Sequence, residues 1–209
     1  MGYFLATLSK VTGEKRFLQA AIDGAQHLQA IATCTRNGCL IFHYTPGGEH
    51  RFYLGWCHGP AGTSRLFYKL SELTGDPSWR NWADSAVNAL MATGIPEVRT
   101  PGFWNNVSMC CCDTAVMQFM LDLHGAYGEA RYLNFAHRVV DDILKRATVD
   151  ERGMRWVQAE NRIDLATVIA QTGYMQGAAG MGTGLLHLDG RKQHRQPLIV
   201  LPDSPYARS

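Results

Sequence analysis

The residues best suited to chemistry in this chain are four of its six cysteines: Cys57 and the consecutive Cys110, Cys111 and Cys112. Six cysteines in 209 residues are too few for a small fold built on disulfides, and three in a row suit metal thiolates better. Three cysteines around one cation leave a fourth position to water or substrate, as in catalytic zinc sites. A purely packing role for buried cysteine is the alternative. The pattern favours a zinc site.

An internal repeat indicates which elements position these cysteines. Residues 13–21 recur as residues 75–83 and 128–136, at offsets of 62 and 53 residues. Each copy has a glycine, an acidic residue, an aromatic residue three positions after the acid, and an alanine four positions further on. This order is typical of a helix end, a turn and a new amphipathic helix. We therefore predict an all-α fold made of helical hairpin repeats.

A second marker precedes the first helix of a repeat. Residues 55–62 (Gly-Trp-Cys-His-Gly-Pro-Ala-Gly) match residues 173–180 at glycine, aromatic, glycine, alanine and glycine. Small residues at a helix start let its backbone approach neighbouring helix starts. We expect these segments to gather at one end of the helices.

The 53-residue offset lays Cys57 on Cys110 and His58 on Cys111, so three thiols are expected to converge. A register shifted by one residue, with Cys111 and Cys112 as the ligands, stays open. In the last copy of the marker, Met175-Gln176 replaces the Cys-His pair, and no ligand is expected there.

The motif at residues 55–62, the pair Cys110-Cys111 and the segment 177–180 resemble the lanthionine synthetase cyclase family, LanC and LanC-like proteins, over essentially the whole chain. The resemblance implies an (α/α) toroid of seven inner and seven outer helices. It also implies Zn²⁺ bound by Cys57, Cys110 and Cys111, as in the Cys-Cys variant of the family. Cys112 stands where the family has glycine, so the local backbone is expected to differ.

The family's reaction, by the same resemblance, adds a peptide cysteine thiol to dehydroalanine or dehydrobutyrine and forms a thioether. Eukaryotic relatives resemble enzymes that add glutathione to such residues. The expected substrate is therefore a peptide or glutathione thiol. Zinc keeps a bound thiol deprotonated at neutral pH, which suits this addition.

The proton donor of such a reaction is not fixed by the sequence. The family's histidine lies in a marker of an earlier repeat, which here would precede Met1. His58 is the acid/base candidate because it follows a predicted ligand directly. Four other basic residues in the loops ahead of the cysteines are interpreted as solvated: His43, His50, Arg51 and Arg99.

Length predicts a partial ring. At about sixty residues per hairpin the chain holds three to four hairpins, about half of a seven-hairpin ring. We predict a C-terminal half toroid over residues 1–190 and an extended tail over 191–209. A partner chain or a second copy would then cover its open ends.

Composition and local patterns exclude other classes. The charge of +2, from 20 Lys+Arg and 18 Asp+Glu, argues against a nucleic-acid partner. The N-terminus lacks a signal-peptide pattern, which favours the cytoplasm, and the uncharged residues 165–188 are too polar for a membrane span.

A short strand pair is predicted at 40–44 and 51–54. Cys34 and Cys39 are interpreted as unpaired thiols rather than a second metal half-site.

Two alternative functions remain at this point. One is a peptide-binding or regulatory remnant without catalysis. The other is a carbohydrate-active (α/α) toroid enzyme, which needs paired carboxylates. The candidate acids Asp113, Glu160 and Asp164 show no paired spacing at the marker.

Overall fold

A computed structural model of the protein describes residues 1–99, 103–104, 106–159, 166–193 and 195–206. In these ranges the chain forms seven helices and eight short strands, which are joined by loops. The helices are α1 Gly2–Thr12, α2 Lys15–Ile31, α3 Pro60–Thr74, α4 Pro77–Ala92, α5 Asp113–Tyr127, α6 Ala130–Lys145 and α7 Ala178–Lys192. The strands are β1 Thr33–Thr35, β2 Gly38–Leu40, β3 Phe52–Tyr53, β4 Phe103–Trp104, β5 Thr148–Asp150, β6 Gly153–Arg155, β7 Val157–Ala159 and β8 Val168–Ala170.

The helices α1, α3 and α5 each end at a glycine of the repeated sequence pattern. Gly13, Gly75 and Gly128 have φ of 75°, 71° and 74°, in the left-handed region that glycine adopts without a Cβ penalty. The next helix begins two residues later. At α4, Asp76 accepts a hydrogen bond from the backbone N–H of Ser78, which caps the helix start.

Helices with odd numbers pack beside one another, α1 on α3, α3 on α5 and α5 on α7, while α2, α4 and α6 each pack on the preceding helix. Helix α5 is the most enclosed, since residues 113–123 are all buried. The prediction of a mostly helical fold is confirmed. The toroid, its partial ring and the division into residues 1–190 and 191–209 stay predictions.

The strand prediction was wrong in its pairing. Strands β1 and β2 form an antiparallel hairpin, and β3 pairs in parallel with β4, whereas residues 40–44 and 51–54 are joined by a backbone hydrogen bond from His43 to Arg51. The chain turns at Arg36-Asn37, and Gly38 follows with φ 125°. Gly38 packs directly against α4, where a Cβ atom would collide with the backbone oxygen of Ser85, so β2 pairs with β1. The chain therefore reverses earlier than predicted.

Cys34 and Cys39 are also not the unpaired thiols that we predicted. They lie opposite each other in the β1–β2 register, with Cα atoms 4.1 Å apart, and form a disulfide. Facing positions of a tight hairpin bring two cysteine side chains within bonding reach.

None of the helices in the described ranges combines the length and the apolar character that a bilayer crossing requires. Of the uncharged stretch 165–188, the residues from 166 onward form β8, a loop and most of α7.

The tail residues 195–206 pack against the helices. The Asp203 carboxylate accepts a hydrogen bond from the indole N–H of Trp56 (3.1 Å) and pairs with Arg65 (3.1 Å), whose side chain is only 5% exposed. The backbone N–H of Ile199 donates to Nε2 of His187 (3.2 Å). A cavity of about 420 Å³ lies between tail and helices, with Trp56 in its wall.

Candidate metal centre

Three loops that precede α3, α5 and α7 are joined by backbone hydrogen bonds. The N–H groups of Trp56 and Cys57 donate to the carbonyl of Cys110 (2.8 and 3.4 Å). The N–H of Cys110 in turn donates to the carbonyl of Met175 (2.8 Å). Because successive loops are bonded edge to edge, residues at matching positions of the marker are brought together.

Glycine at position 55 makes the close approach of the first two loops feasible. A Cβ atom there would lie 2.4 Å from the carbonyl carbon of Cys111 and 2.6 Å from the carbonyl oxygen of Cys110, far inside ordinary contact. Any larger residue would push the loops apart.

The loops place the sulfur atoms of Cys57, Cys110 and Cys111 within 4.8 Å of one another, and this group could hold a metal ion. Tetrahedral zinc with bonds of about 2.3 Å needs sulfurs about 3.8 Å apart, so small side-chain adjustments would suffice. Cys111 is buried, Cys110 is half-buried and Cys57 is exposed. One side of the cluster is thus accessible, as a site with an open coordination position requires.

Hydrogen bonds among the three thiols separate their pKa values. Bonds from Cys110 and Cys57 lower the pKa of Cys111 well below its ordinary value. The bond with Cys110 raises the pKa of Cys57, and the bond with Cys111 raises the pKa of Cys110. Hydrogen bonds from the two neighbouring thiols therefore favour the thiolate form of Cys111.

Cys112, the ligand of the shifted register, lies in the hydrophobic core and is fully buried. Burial raises the pKa of its thiol well above the ordinary value, so it stays protonated. Its backbone, with φ −161° and ψ −93°, differs from the extended backbone of the matching glycines Gly59 and Gly177, as expected where a side chain replaces glycine. The clustered thiols are those of the first register.

His58 belongs to a small group of rings beside the cluster. Its ring meets the ring of His43 edge-on, with centroids 4.3 Å apart, and His43 stacks on Tyr53 at 4.1 Å. Burial lowers the pKa of His58, while the nearby Cys111 acts in the opposite direction. Sequence reasoning missed this group: we interpreted His43 as a solvated loop residue, although its loop directly precedes the Cys57 marker.

The other loop residues lie where we predicted, near solvent. His50 is exposed, and Arg51 donates to it and to the hydroxyl of Tyr44. Arg99 is exposed and pairs with Asp142 (2.7 Å).

Two polar side chains that sequence reasoning did not select contact Cys111. The amide nitrogen of Gln176 donates to its sulfur (3.6 Å), and the hydroxyl of Ser108 accepts from its backbone N–H (3.1 Å). A signal existed for Gln176, because it occupies the marker position of His58 and Cys111.

Of the three candidate acids of the carbohydrate-active alternative, the structure describes Asp113, and its surroundings do not suit acid catalysis at the marker. Asp113 is fully buried and bonded to Arg146 (2.7 Å), and desolvation raises the pKa of its carboxyl to about 6. Glu160 and Asp164 lie outside the described residues. Among the described residues, the group suited to metal chemistry at the helix starts is the thiol cluster.

A mostly helical protein with three thiols gathered at its helix starts is the class that fold and site define. The model of the family described as lanthionine synthetase C-like protein matches residues 1–201, so the chain belongs to this family. None of the curated proteins compared with the chain matches it.

Proposed function

We propose that this chain is a zinc protein that activates a thiol for Michael-type addition to dehydroalanine or dehydrobutyrine. The observation that carries the proposal is the thiol cluster of Cys57, Cys110 and Cys111 in a member of the lanthionine synthetase C-like family. The thiol substrate is a peptide cysteine, which gives lanthionine-type rings, or glutathione.

The residues fit zinc. Three cysteine sulfurs are soft donors of the kind that select this ion, and the exposed Cys57 leaves one side of the cluster open. When bound, zinc supplies positive charge that keeps a substrate thiol deprotonated at neutral pH. Cys57, Cys110 and Cys111 would hold the ion.

His58 is the residue that we assign to proton transfer. In the addition, a bond forms between sulfur and the β-carbon, the carbon–carbon double bond loses its π electrons, and the α-carbon takes up a proton. The lowered pKa of His58 keeps its imidazole neutral at pH 7, so it can accept the thiol proton and return it to the α-carbon. The edge-on contact with the His43 ring restricts the orientation of the His58 ring.

The proposal includes a toroid as the arrangement of the helices and the cytoplasm as the compartment. In a reducing compartment the thiol cluster stays available to metal, whereas the Cys34–Cys39 bond would be reduced. A reducing compartment therefore favours the thiol cluster and disfavours the hairpin disulfide.

The test is the addition of thiol to a synthetic dehydroalanine peptide, followed by mass spectrometry, with glutathione and with a cysteine peptide as donors. We expect thioether product from the zinc-loaded protein and a loss of about 10²-fold in rate for His58→Asn. His50→Asn is the matched control, since His50 is exposed and in the same loop region, and its rate should equal the wild-type rate. Zinc-loaded wild-type protein that gives no product with either donor would favour the peptide-binding alternative.

A further inference from the structure

The side chain of Gln176 occupies the position in its loop that Cys111 and His58 occupy in theirs. Each stands two positions before the first residue of a helix: Gln176 before α7, Cys111 before α5 and His58 before α3. The α7 loop is bonded edge to edge to the α5 loop, through the backbone N–H of Cys110 and the carbonyl of Met175, so Gln176 lies beside Cys111. The third loop therefore contributes to the cluster although it has no cysteine.

The contact that Gln176 makes is specific. Its amide nitrogen donates to the sulfur of Cys111 at 3.6 Å, a normal length for a hydrogen bond to sulfur. The backbone carbonyl of Gln176 accepts from the side chain of Gln158 (3.2 Å), which helps to hold the loop.

The side-chain oxygen of Gln176 differs from its amide nitrogen in having no hydrogen-bond partner among the described residues. This oxygen, Oε1, is buried. Leaving a buried oxygen unpaired costs about 1–3 kcal/mol. An apolar side chain of similar size would fill the same space without this cost. The amide is thus better explained by what it does at the sulfur than by packing.

A hydrogen bond to a thiolate withdraws charge from the sulfur and weakens its donation to a metal, and it also fixes the direction of the sulfur lone pairs. We propose that Gln176 is a positioning residue of the metal centre, which orients Cys111 and reduces the charge that its sulfur donates to the metal. This inference rests on the proposed zinc function.

The experiment uses Co²⁺ in place of Zn²⁺, because sulfur-to-cobalt charge-transfer bands report the donor strength of the thiolates. Wild-type protein and Gln176→Met, which is similar in size and has no N–H donor, are loaded anaerobically under reducing conditions. We expect the charge-transfer band of the variant to move to longer wavelength, because the Cys111 sulfur donates more charge without the hydrogen bond. Its Co²⁺ affinity should fall about 10- to 100-fold in chelator competition, because the lost orientation of Cys111 outweighs this stronger donation. Gln176→Leu should behave in the same way.

The matched control is Gln193→Met, an exposed glutamine just beyond α7 that touches Asp189 and not the cluster. Its band and affinity should equal those of the wild type. An unchanged band in folded Gln176→Met and Gln176→Leu would overturn the role of Gln176, even with the metal bound. Absence of thiolate charge-transfer bands in the wild type would instead overturn the metal centre itself.

Discussion

Gly55→Ala tests whether the close approach of two loops builds the thiol cluster. The new methyl group would lie 2.4 Å from the carbonyl carbon of Cys111, whereas ordinary contacts begin near 3.4 Å. The loops that carry Cys57 and Cys110 must therefore separate by about 1 Å, more than the roughly 0.5 Å tolerance of a preorganised site. Forcing extra volume into a packed contact costs about 1–3 kcal/mol.

We expect Gly55→Ala to bind zinc at least about 10-fold more weakly than the wild type and to unfold at a lower urea concentration. Affinity is measured by competition with a chromogenic chelator, and stability by circular dichroism. Gly24→Ala is the matched control, because Gly24 is exposed within α2 and a methyl group there meets nothing within 4 Å. It should keep the wild-type affinity and gain about 0.5–1 kcal/mol from helix propensity. Wild-type zinc affinity in Gly55→Ala would refute the reasoning.

Three further predictions concern stability. Desolvation raises the pKa of the buried Asp122 to about 6, above the value in the unfolded chain. Ionised Asp122 therefore destabilises the fold at neutral pH, and the free energy of unfolding increases as the pH falls from about 6 to about 4. In urea titrations at pH 7 and pH 4, Asp122→Asn should therefore lack up to about 3 kcal/mol of this gain; an unchanged pH dependence would contradict the assignment. Cys34→Ser should lower the free energy of unfolding by about 2 kcal/mol under oxidising conditions, as expected for so short a disulfide loop, and should not change it under reducing conditions. The zinc content should be unchanged in both conditions. An equal loss of stability in both would show that the disulfide is not the cause. Asp203→Asn should cost about 1 kcal/mol and speed proteolysis of the tail, since it removes the ion pair with Arg65; proteolysis at the wild-type rate would mean that other contacts hold the tail.

The sequence was most informative where its signals were local and repeated. A glycine followed by an acid and a spaced aromatic residue predicted helix ends at Gly13, Gly75 and Gly128, because only the left-handed turn makes glycine necessary there. The offset between two of these copies then placed Cys57 opposite Cys110, and the structure brings their sulfurs together with that of Cys111.

The parts that sequence reasoning missed depend on contacts between distant segments. His43 meets His58 only because a loop folds back beside α3, and Gln176 reaches Cys111 only because the α7 loop is bonded to Cys110. The disulfide was missed for a different reason: composition favoured free thiols, whereas the register of β1 and β2 decides that Cys34 faces Cys39. Pairing of strands two or three residues long leaves little periodicity to detect.

Zinc content per chain tests the central claim most directly. Protein purified under reducing conditions and analysed by elemental mass spectrometry should hold one zinc ion per chain, and Cys57→Ala, Cys110→Ala and Cys111→Ala should each hold less than about one tenth of that amount. Cys112→Ala should keep its zinc, because Cys112 lies in the core and outside the cluster. Zinc-free wild-type protein, or loss of zinc in Cys112→Ala with Cys110→Ala unaffected, would contradict the account.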